Sequence, residues 1–129
     1  MFKDTKAFSG FAVDDIDKAH AFYGETLGLD VSKNDMGLLT LNLAGNRPTI
    51  VYPKPDFEPA TYTILNFPVD DIDTVVDALI ERGVAFELYD GFGQDERGVA
   101  RNEYGPPIAW FRDPAGNILS VLEDPGPSA

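Results

Sequence analysis

The sequence feature that most constrains the fold is an internal duplication. Residues 11–17 read FAVDDID and residues 67–73 read FPVDDID, so six of seven letters agree. A second echo, AGN, occurs at residues 44–46 and again at residues 115–117, where the two copies stand farther apart than the two DDID copies do. The chain therefore reads as two related halves, and the second has gained a segment between its helix and its last strand.

Each DDID copy follows an apolar, strand-like run and precedes a helical pattern. Asp15 and Asp71 are placed as helix N-caps, because a carboxylate there accepts hydrogen bonds from unpaired backbone N–H groups. Helical spacing is clearest in the second half, where the apolar stripe consists of Ile72, Val75, Val76, Leu79 and Ile80. The helices are expected to end at Gly28 and at Arg82–Gly83.

Short strands are predicted after each helix. In the first half they are Leu29–Ser32, Leu38–Leu43 and Thr49–Tyr52, and in the second half they are Val84–Leu88, Ile108–Phe111 and Ile118–Leu122. Each half thus reads β-α-β-β-β. The sequence predicts an α+β fold in which two βαβββ modules form an incomplete, cup-like barrel with the helices outside. A single domain over residues 1–129 is expected, with module one at about 6–53 and module two at about 61–123.

Composition excludes several classes of function. Ten Lys and Arg stand against 22 Asp and Glu, a net charge of −12, which disfavours binding to nucleic acids and to anionic membranes. The absence of cysteine excludes disulfides and thiolate metal sites. No apolar run approaches the roughly 18 residues of a membrane span, and the first residues lack a signal-peptide core. A cytoplasmic location is expected.

Two motifs resemble those of a known family. The pattern VxDIxxAxxFYxxxLG from Val13 to Gly28 and the ending FRDPAGNILSVLE from Phe111 to Glu123 are similar to the vicinal oxygen chelate superfamily. That superfamily includes glyoxalase I, extradiol dioxygenases, fosfomycin-resistance enzymes and bleomycin-binding proteins. The resemblance extends from about Lys6 to Glu123. It implies the paired βαβββ fold and a homodimer.

The resemblance also implies four positions that hold a divalent metal in active members, usually through His, Glu or Gln. Here those positions map to Phe8, Thr49, Ile64 and Ser120. Apolar side chains offer no lone pair, and neutral hydroxyls are poor ligands without carboxylate or imidazole partners. We therefore expect no metal and no other cofactor. His20, the only histidine, is interpreted as a helix residue, with a role as metal ligand or catalytic base as the alternative.

The extra segment of the second half is expected within residues 88–107, which mix aromatic rings with charges of both signs. Loops over a cup commonly carry function, and aromatic walls with a few polar groups are typical of small-molecule pockets. The candidate ligand-binding residues are Trp110, Tyr52, Tyr62, Arg101 and Glu103. Such a lining also suits a cation.

Two functional hypotheses follow. The first is a metal-free member of the glyoxalase/bleomycin-resistance group that binds a small organic molecule, cationic or aromatic, in the barrel cavity. The alternative is an enzyme of the same fold, a lyase, isomerase or dioxygenase, with an unconventional metal site or with acid–base groups such as Glu103 and Tyr104. The sequence names no catalytic residue with certainty, so whether the protein is an enzyme stays open.

Overall fold

A computed structural model of the protein describes residues 1–102 and 105–124. The chain divides into two compact units, Met1–Pro59 and the residues from Ala60 onward. The division falls inside the proline-containing segment that separates the two halves in the sequence.

The first unit contains one four-stranded sheet and one helix. Its elements are β1 (Ser9–Val13), α1 (Ile16–Ala21), β2 (Val31–Lys33), β3 (Leu39–Leu43) and β4 (Arg47–Pro53). The strand order is β1-β4-β3-β2. Strand β1 pairs with β4 in parallel, and the remaining pairs are antiparallel. The first strand of the unit therefore lies beside its last strand.

The first helical segment begins at Asp15 and stops just before Gly28, which has a φ of +74°, as the sequence predicts, but its last turn is of a different type. The Asp15 carboxylate accepts the backbone N–H groups of Asp17 and Lys18 at 3.0 and 3.1 Å. After Ala21 the helix widens into a π-helical turn, Phe22–Thr26. Tyr23 in this turn is fully buried, and its ring lies 5.7 Å from the ring of Phe11 on β1. The wide turn thus fastens the helix to the sheet through an aromatic contact.

The second unit repeats this arrangement. Its elements are β5 (Thr63–Val69), α2 (Ile72–Glu81), β6 (Ala100–Asn102), β7 (Gly105–Arg112) and β8 (Ile118–Glu123). The strand order is β5-β8-β7-β6, again with the first and last strands parallel and adjacent. Two four-stranded mixed sheets, each with one helix, confirm the predicted α+β class and the two βαβββ modules.

Helix α2 covers one face of the second sheet. Asp71 caps it by accepting the N–H groups of Asp73 and Thr74 at 3.1 and 3.3 Å. The apolar stripe of the helix packs on alternate residues of the strands, because successive strand side chains point to opposite faces. The buried cluster consists of Ile72, Val76, Val99, Ala109 and Val121, with Val69, Val75 and Phe86 packed against it.

The predicted strand Val84–Leu88 is wrong. The Val84 N–H closes the end of α2 by donating to the Leu79 carbonyl at 3.0 Å, and only Phe86 forms a bridge to β7, opposite Phe111. Further along β7 the edge position belongs to β6, where Ala100 pairs with Ile108. The extra residues of this unit thus interrupt the edge of the sheet, so no continuous strand forms there.

Candidate functional site

Three aromatic side chains of the second unit meet on the sheet face that lies opposite helix α2. The rings of Tyr89 and Phe92 lie 5.6 and 5.4 Å from the ring of Trp110, both edge to face. Tyr89 and Phe92 are themselves 5.3 Å apart. Separations and tilts of this kind are those that aromatic pairs favour. We call these three residues the aromatic cluster.

Strand alternation explains why Trp110 is available on this face. Its neighbours Ala109 and Phe111 are buried, and Ala109 belongs to the core under α2. Trp110 must then point the other way, together with Ser120, which lies directly opposite it on β8. Trp110 is half-buried, so part of the indole surface remains open to contact.

A cavity of about 360 Å³ opens beside the aromatic cluster. Among the residues that the structure describes, its lining consists of Gly91, Phe92, Gly93, Ala100, Asn102 and Trp110. The volume lies at the lower end of the range for small-molecule sites, about 300–1,000 Å³. None of these lining residues is ionisable. The cavity therefore offers flat apolar surface together with amide and backbone groups.

Five charged side chains lie at the base of the same insertion, away from the cavity. Arg101 contacts Asp73 at 2.6 Å and Asp95 at 3.3 Å. Arg97 contacts Asp77 at 2.9 Å and Asp95 at 3.4 Å, and it also pairs with Asp73. Asp73 and Asp77 belong to α2, so these five residues, the ionic cluster, tie the insertion to the helix.

The contacts of the ionic cluster stabilise its charged forms. Hydrogen bonds from Arg101 and then from Arg97 lower the pKa of the Asp73 carboxyl below its ordinary value. Burial opposes ionisation of Asp95, but the backbone N–H groups of Val99 and Arg97 outweigh it and lower that pKa as well. Hydrogen bonding to Asp73 raises the pKa of both guanidinium groups. Asp73, Asp95, Arg97 and Arg101 are therefore held in their charged forms.

The structure places the predicted ligand-binding residues at different locations. Trp110 lines the cavity. Arg101 belongs to the ionic cluster, and its side chain points away from the cavity because its neighbour Ala100 points toward it. Tyr62 is 69% exposed just before β5. Tyr52 lies on β4 of the first unit and is 41% exposed, and Glu103 lies outside the described residues, as does Tyr104.

Sequence reasoning did not single out Tyr89 and Phe92 as partners of Trp110. Both lie in the insertion, and Phe92 stands between two glycines whose φ angles are +81° and +63° at Gly91 and Gly93. The sequence signal that could have identified Phe92 is its place between two turn-forming glycines in a long insertion. It could not indicate which strand residue the ring would meet.

The positions that the resemblance assigns to a metal do not provide a metal site. In the first unit the Thr49 hydroxyl pairs with that of Ser9 at 3.2 Å. Ser9 lies two positions before Phe11, which contacts Tyr23, so this pair faces helix α1. Phe8 precedes β1 and is 67% exposed. The predicted mapping thus places Thr49 on the helix-covered face of its sheet.

In the second unit, the last-strand position has a polar neighbour that the sequence mapping overlooked. Ser120 is fully buried, and its hydroxyl donates to the side-chain carbonyl of Asn66 at 2.5 Å. Ile64 lies at the irregular register between β5 and β8. Neutral amide and hydroxyl oxygens without carboxylate or imidazole are poor ligands for a divalent ion. The residues present therefore do not fit the metal implied by the resemblance.

His20 is exposed on α1 and borders a separate open cavity of about 450 Å³ in the first unit. Asp17, Glu25 and Asp30 also border it. Within residues 1–102 and 105–124, no group of three or more His, Asp or Glu side chains is arranged to hold a metal ion.

Neither of the helices described is long and apolar enough to span a membrane.

Comparison with known proteins identifies the family. Residues 8–121 match the family model described as the Glyoxalase/Bleomycin resistance protein/Dioxygenase superfamily. No curated protein sequence matches the chain.

Solved structures share the fold. A putative glyoxalase family protein from Bacillus anthracis superposes with a TM-score of 0.70 at 22% identity, over 96% of this chain and 99% of its own. A superfamily member from Sphaerobacter thermophilus DSM 20745 gives 0.69 at 23% identity, over 92% and 97%. TnmS3, an antibiotic binding protein from Streptomyces sp. CB03234, gives 0.64 at 28% identity, over 91% and 94%. Given the duplicated βαβββ modules and the match over residues 8–121, the chain belongs to the Glyoxalase/Bleomycin resistance protein/Dioxygenase superfamily.

Proposed function

We propose that this protein binds a small aromatic organic molecule, without a metal, at the cavity beside Trp110. The observation that carries the proposal is the aromatic cluster, in which two insertion rings stand edge-on to a half-buried indole at the border of a cavity whose described lining carries no charge. Flat apolar surface of this kind gains most from contact with another flat ring. An antibiotic binding protein among the similar structures is in keeping with this role.

The charge of the chain sets the expected preference among aromatic ligands. A net charge of −12 attracts cations and repels anions. The face of an indole also attracts cations. Neutral and cationic aromatic molecules should therefore bind better than anionic ones of similar size.

Three aromatic probes of different charge test the proposal. They are N-phenylnaphthylamine (neutral), proflavine (cationic) and anilinonaphthalenesulfonate (anionic). Trp110 is the only tryptophan of the chain, so quenching of its emission reports binding within energy-transfer distance of this residue. The neutral and cationic probes should quench, and the anionic probe should bind more weakly.

Calorimetry with Trp110→Ala then locates the site. Loss of a central aromatic anchor should weaken binding by about 10- to 100-fold. Phe2→Ala, which removes a ring that is 75% exposed in the first unit, serves as the matched control and should bind as the unaltered protein does. If none of the probes binds, or if Trp110→Ala binds equally well, the proposal is wrong. Tyr52→Ala, Tyr62→Ala and Glu103→Gln test the other predicted contacts in the same assay.

The enzyme alternative stays a hypothesis, as do the predicted homodimer and the cytoplasmic location. Metal analysis of protein purified without chelators addresses the first, since a stoichiometric tightly held metal would favour a lyase, isomerase or dioxygenase. Sedimentation of the purified protein addresses the second, and cell fractionation the third.

A further inference from the structure

The insertion that supplies Tyr89 and Phe92 is closed at its base by one side-chain amide. The Oε1 atom of Gln94 accepts the backbone N–H of Tyr89 at 2.6 Å. Its Nε2 group donates to the carbonyls of Glu87 and Gly98, both at 2.8 Å. One neutral side chain therefore joins three points of the backbone on both sides of the aromatic loop.

The loop itself, residues 88–93, is largely exposed and contains two glycines. Leu88 and Phe92 are 65% and 47% exposed, so burial holds the loop weakly. Gly91 and Gly93 both have positive φ, and glycine loses more conformational freedom on ordering than any other residue. Fixing the backbone of such residues therefore costs conformational entropy. The Gln94 amide offsets part of that cost before any ligand arrives.

Only an amide can make this set of bonds. The position needs an acceptor for one N–H and a donor for two carbonyls, and Gln presents both on one rigid plane. A carboxylate of the same shape could accept from Tyr89 but could not donate. An apolar side chain could do neither.

We infer that Gln94 is the positioning residue of the ligand cavity: its three hydrogen bonds hold Tyr89 and Phe92 against Trp110 in the free protein. Gln94 does not line the cavity, so it acts through the two rings and not by touching the ligand. The inference rests on the proposed function for its role in binding, and pre-ordering of the cavity lowers the ordering cost that a ligand would otherwise meet.

Two isosteric variants test the inference, with N-phenylnaphthylamine as the probe. Gln94→Met removes all three bonds, whereas Gln94→Glu keeps the acceptor and turns a carboxylate oxygen toward the Glu87 and Gly98 carbonyls. Acrylamide quenching of Trp110 in ligand-free protein should increase in both variants, more in Gln94→Glu, because its carboxylate repels the two carbonyl oxygens. Probe affinity should fall about five- to tenfold in Gln94→Met and further in Gln94→Glu.

Controls separate positioning from general destabilisation. Val76→Ala shortens a buried side chain of α2, which packs on the other face of the sheet, and lowers stability without altering the loop. Even where Val76→Ala loses as much thermal stability as the Gln94 variants do, it should keep both the acrylamide quenching and the probe affinity of the unaltered protein. Glu96→Gln changes an exposed residue of the same insertion and should be neutral.

The outcomes distinguish this inference from the proposed function. If the unaltered protein binds the probe and Gln94→Met shows the same affinity and quenching, the inference fails while the proposed function stands. If the unaltered protein binds none of the probes, the proposed function fails, and the quenching of the ligand-free variants still decides whether Gln94 positions the rings.

Discussion

The two units of this chain share one frame and use their aromatic residues differently. In the first unit, Phe22 and Phe11 lie 5.2 and 5.7 Å from the buried Tyr23, between helix and sheet. In the second unit, an equivalent layer exists around Phe86 and Phe111, whose rings are 5.5 Å apart, and a further set of rings lies on the opposite face. The aromatic layer between helix and sheet stabilises both units. The candidate site exists in the second unit alone among the described residues, because the insertion adds rings on the opposite face of its sheet.

The helix-facing rings provide the largest expected effect. Tyr23→Ala and Phe111→Ala each remove a large side chain that is at most 1% exposed. Each should lower the free energy of unfolding by about 3–5 kcal/mol, measured by urea denaturation. Tyr62→Ala, an exposed ring, should change it by less than about 0.5 kcal/mol. If one of these two variants lost several kcal/mol of unfolding free energy and the other almost none, the aromatic layers of the two units would not be equivalent.

Glycines at positive φ test how tightly each unit is packed around its turns. A Cβ at Gly98 would lie 3.0 Å from the Phe86 Cβ and 3.2 Å from the Glu87 oxygen, whereas one at Gly37 would meet nothing within 4 Å. Gly37→Ala should cost about 1–2 kcal/mol, from backbone strain alone. Gly98→Ala should cost about 1–3 kcal/mol more, from crowding. Thermal unfolding of the two variants measures the difference, and equal losses would contradict this account of the insertion's base.

The repeated N-caps should contribute similarly in both units. Asp15→Ala and Asp71→Ala each leave two N–H groups of a helix start without their carboxylate acceptor. A loss of about 1 kcal/mol is expected for each. The loss should be somewhat larger for Asp71, which also accepts the Thr74 hydroxyl at 3.0 Å. Urea denaturation, with Asp15→Asn and Asp71→Asn as caps that retain an oxygen, checks the prediction.

The smallest expected effect concerns Asp17 and Asp73, the last residues of the two DDID copies. Asp17 meets one exposed lysine, Lys33, at 3.4 Å, whereas Asp73 contacts two arginines. Because the pKa of Asp73 is lowered in the folded protein, its contribution is present above the ordinary Asp pKa of about 3.9 and is lost as the pH falls through the folded value.

Asp73→Asn should therefore reduce stability at neutral pH and flatten its decline in acid, more than Asp17→Asn does. Urea midpoints measured between neutral and acidic pH test this. An Asp73→Asn protein with an unaltered pH profile would show that the ionic cluster adds nothing to the attachment of the insertion.

Local features of the fold could be predicted from the sequence because neighbouring residues determine them. The DDID motifs indicated the helix starts at Asp15 and Asp71, and the apolar stripe indicated α2. The error at Val84–Leu88 arose because alternating apolar residues favour a strand, whereas Val84 completes the helix end and the insertion begins at Leu88. Pattern alone does not show which segment occupies the edge of a sheet.

The candidate site was only partly predictable for the same reason. Trp110 could be chosen as an aromatic residue of a predicted strand. Its partners Tyr89 and Phe92 are fixed by contacts between segments that are distant in the sequence, and these depend on the Gln94 hydrogen bonds to the backbone. The face on which Thr49 lies likewise depends on its register with Ser9, and an offset of one residue reverses the side.

The pairing of the first strand with the last has a consequence for biosynthesis. In the first unit Ser9 pairs with Thr49, and in the second Thr63 pairs with Ile118, across a longer stretch of chain. Neither β1 nor β5 can gain its neighbour until the ribosome has produced almost the whole unit. Bringing the paired strands of the second unit together costs only about 0.3 kcal/mol more in chain entropy than in the first unit. Evolution could therefore lengthen this insertion at little cost to folding.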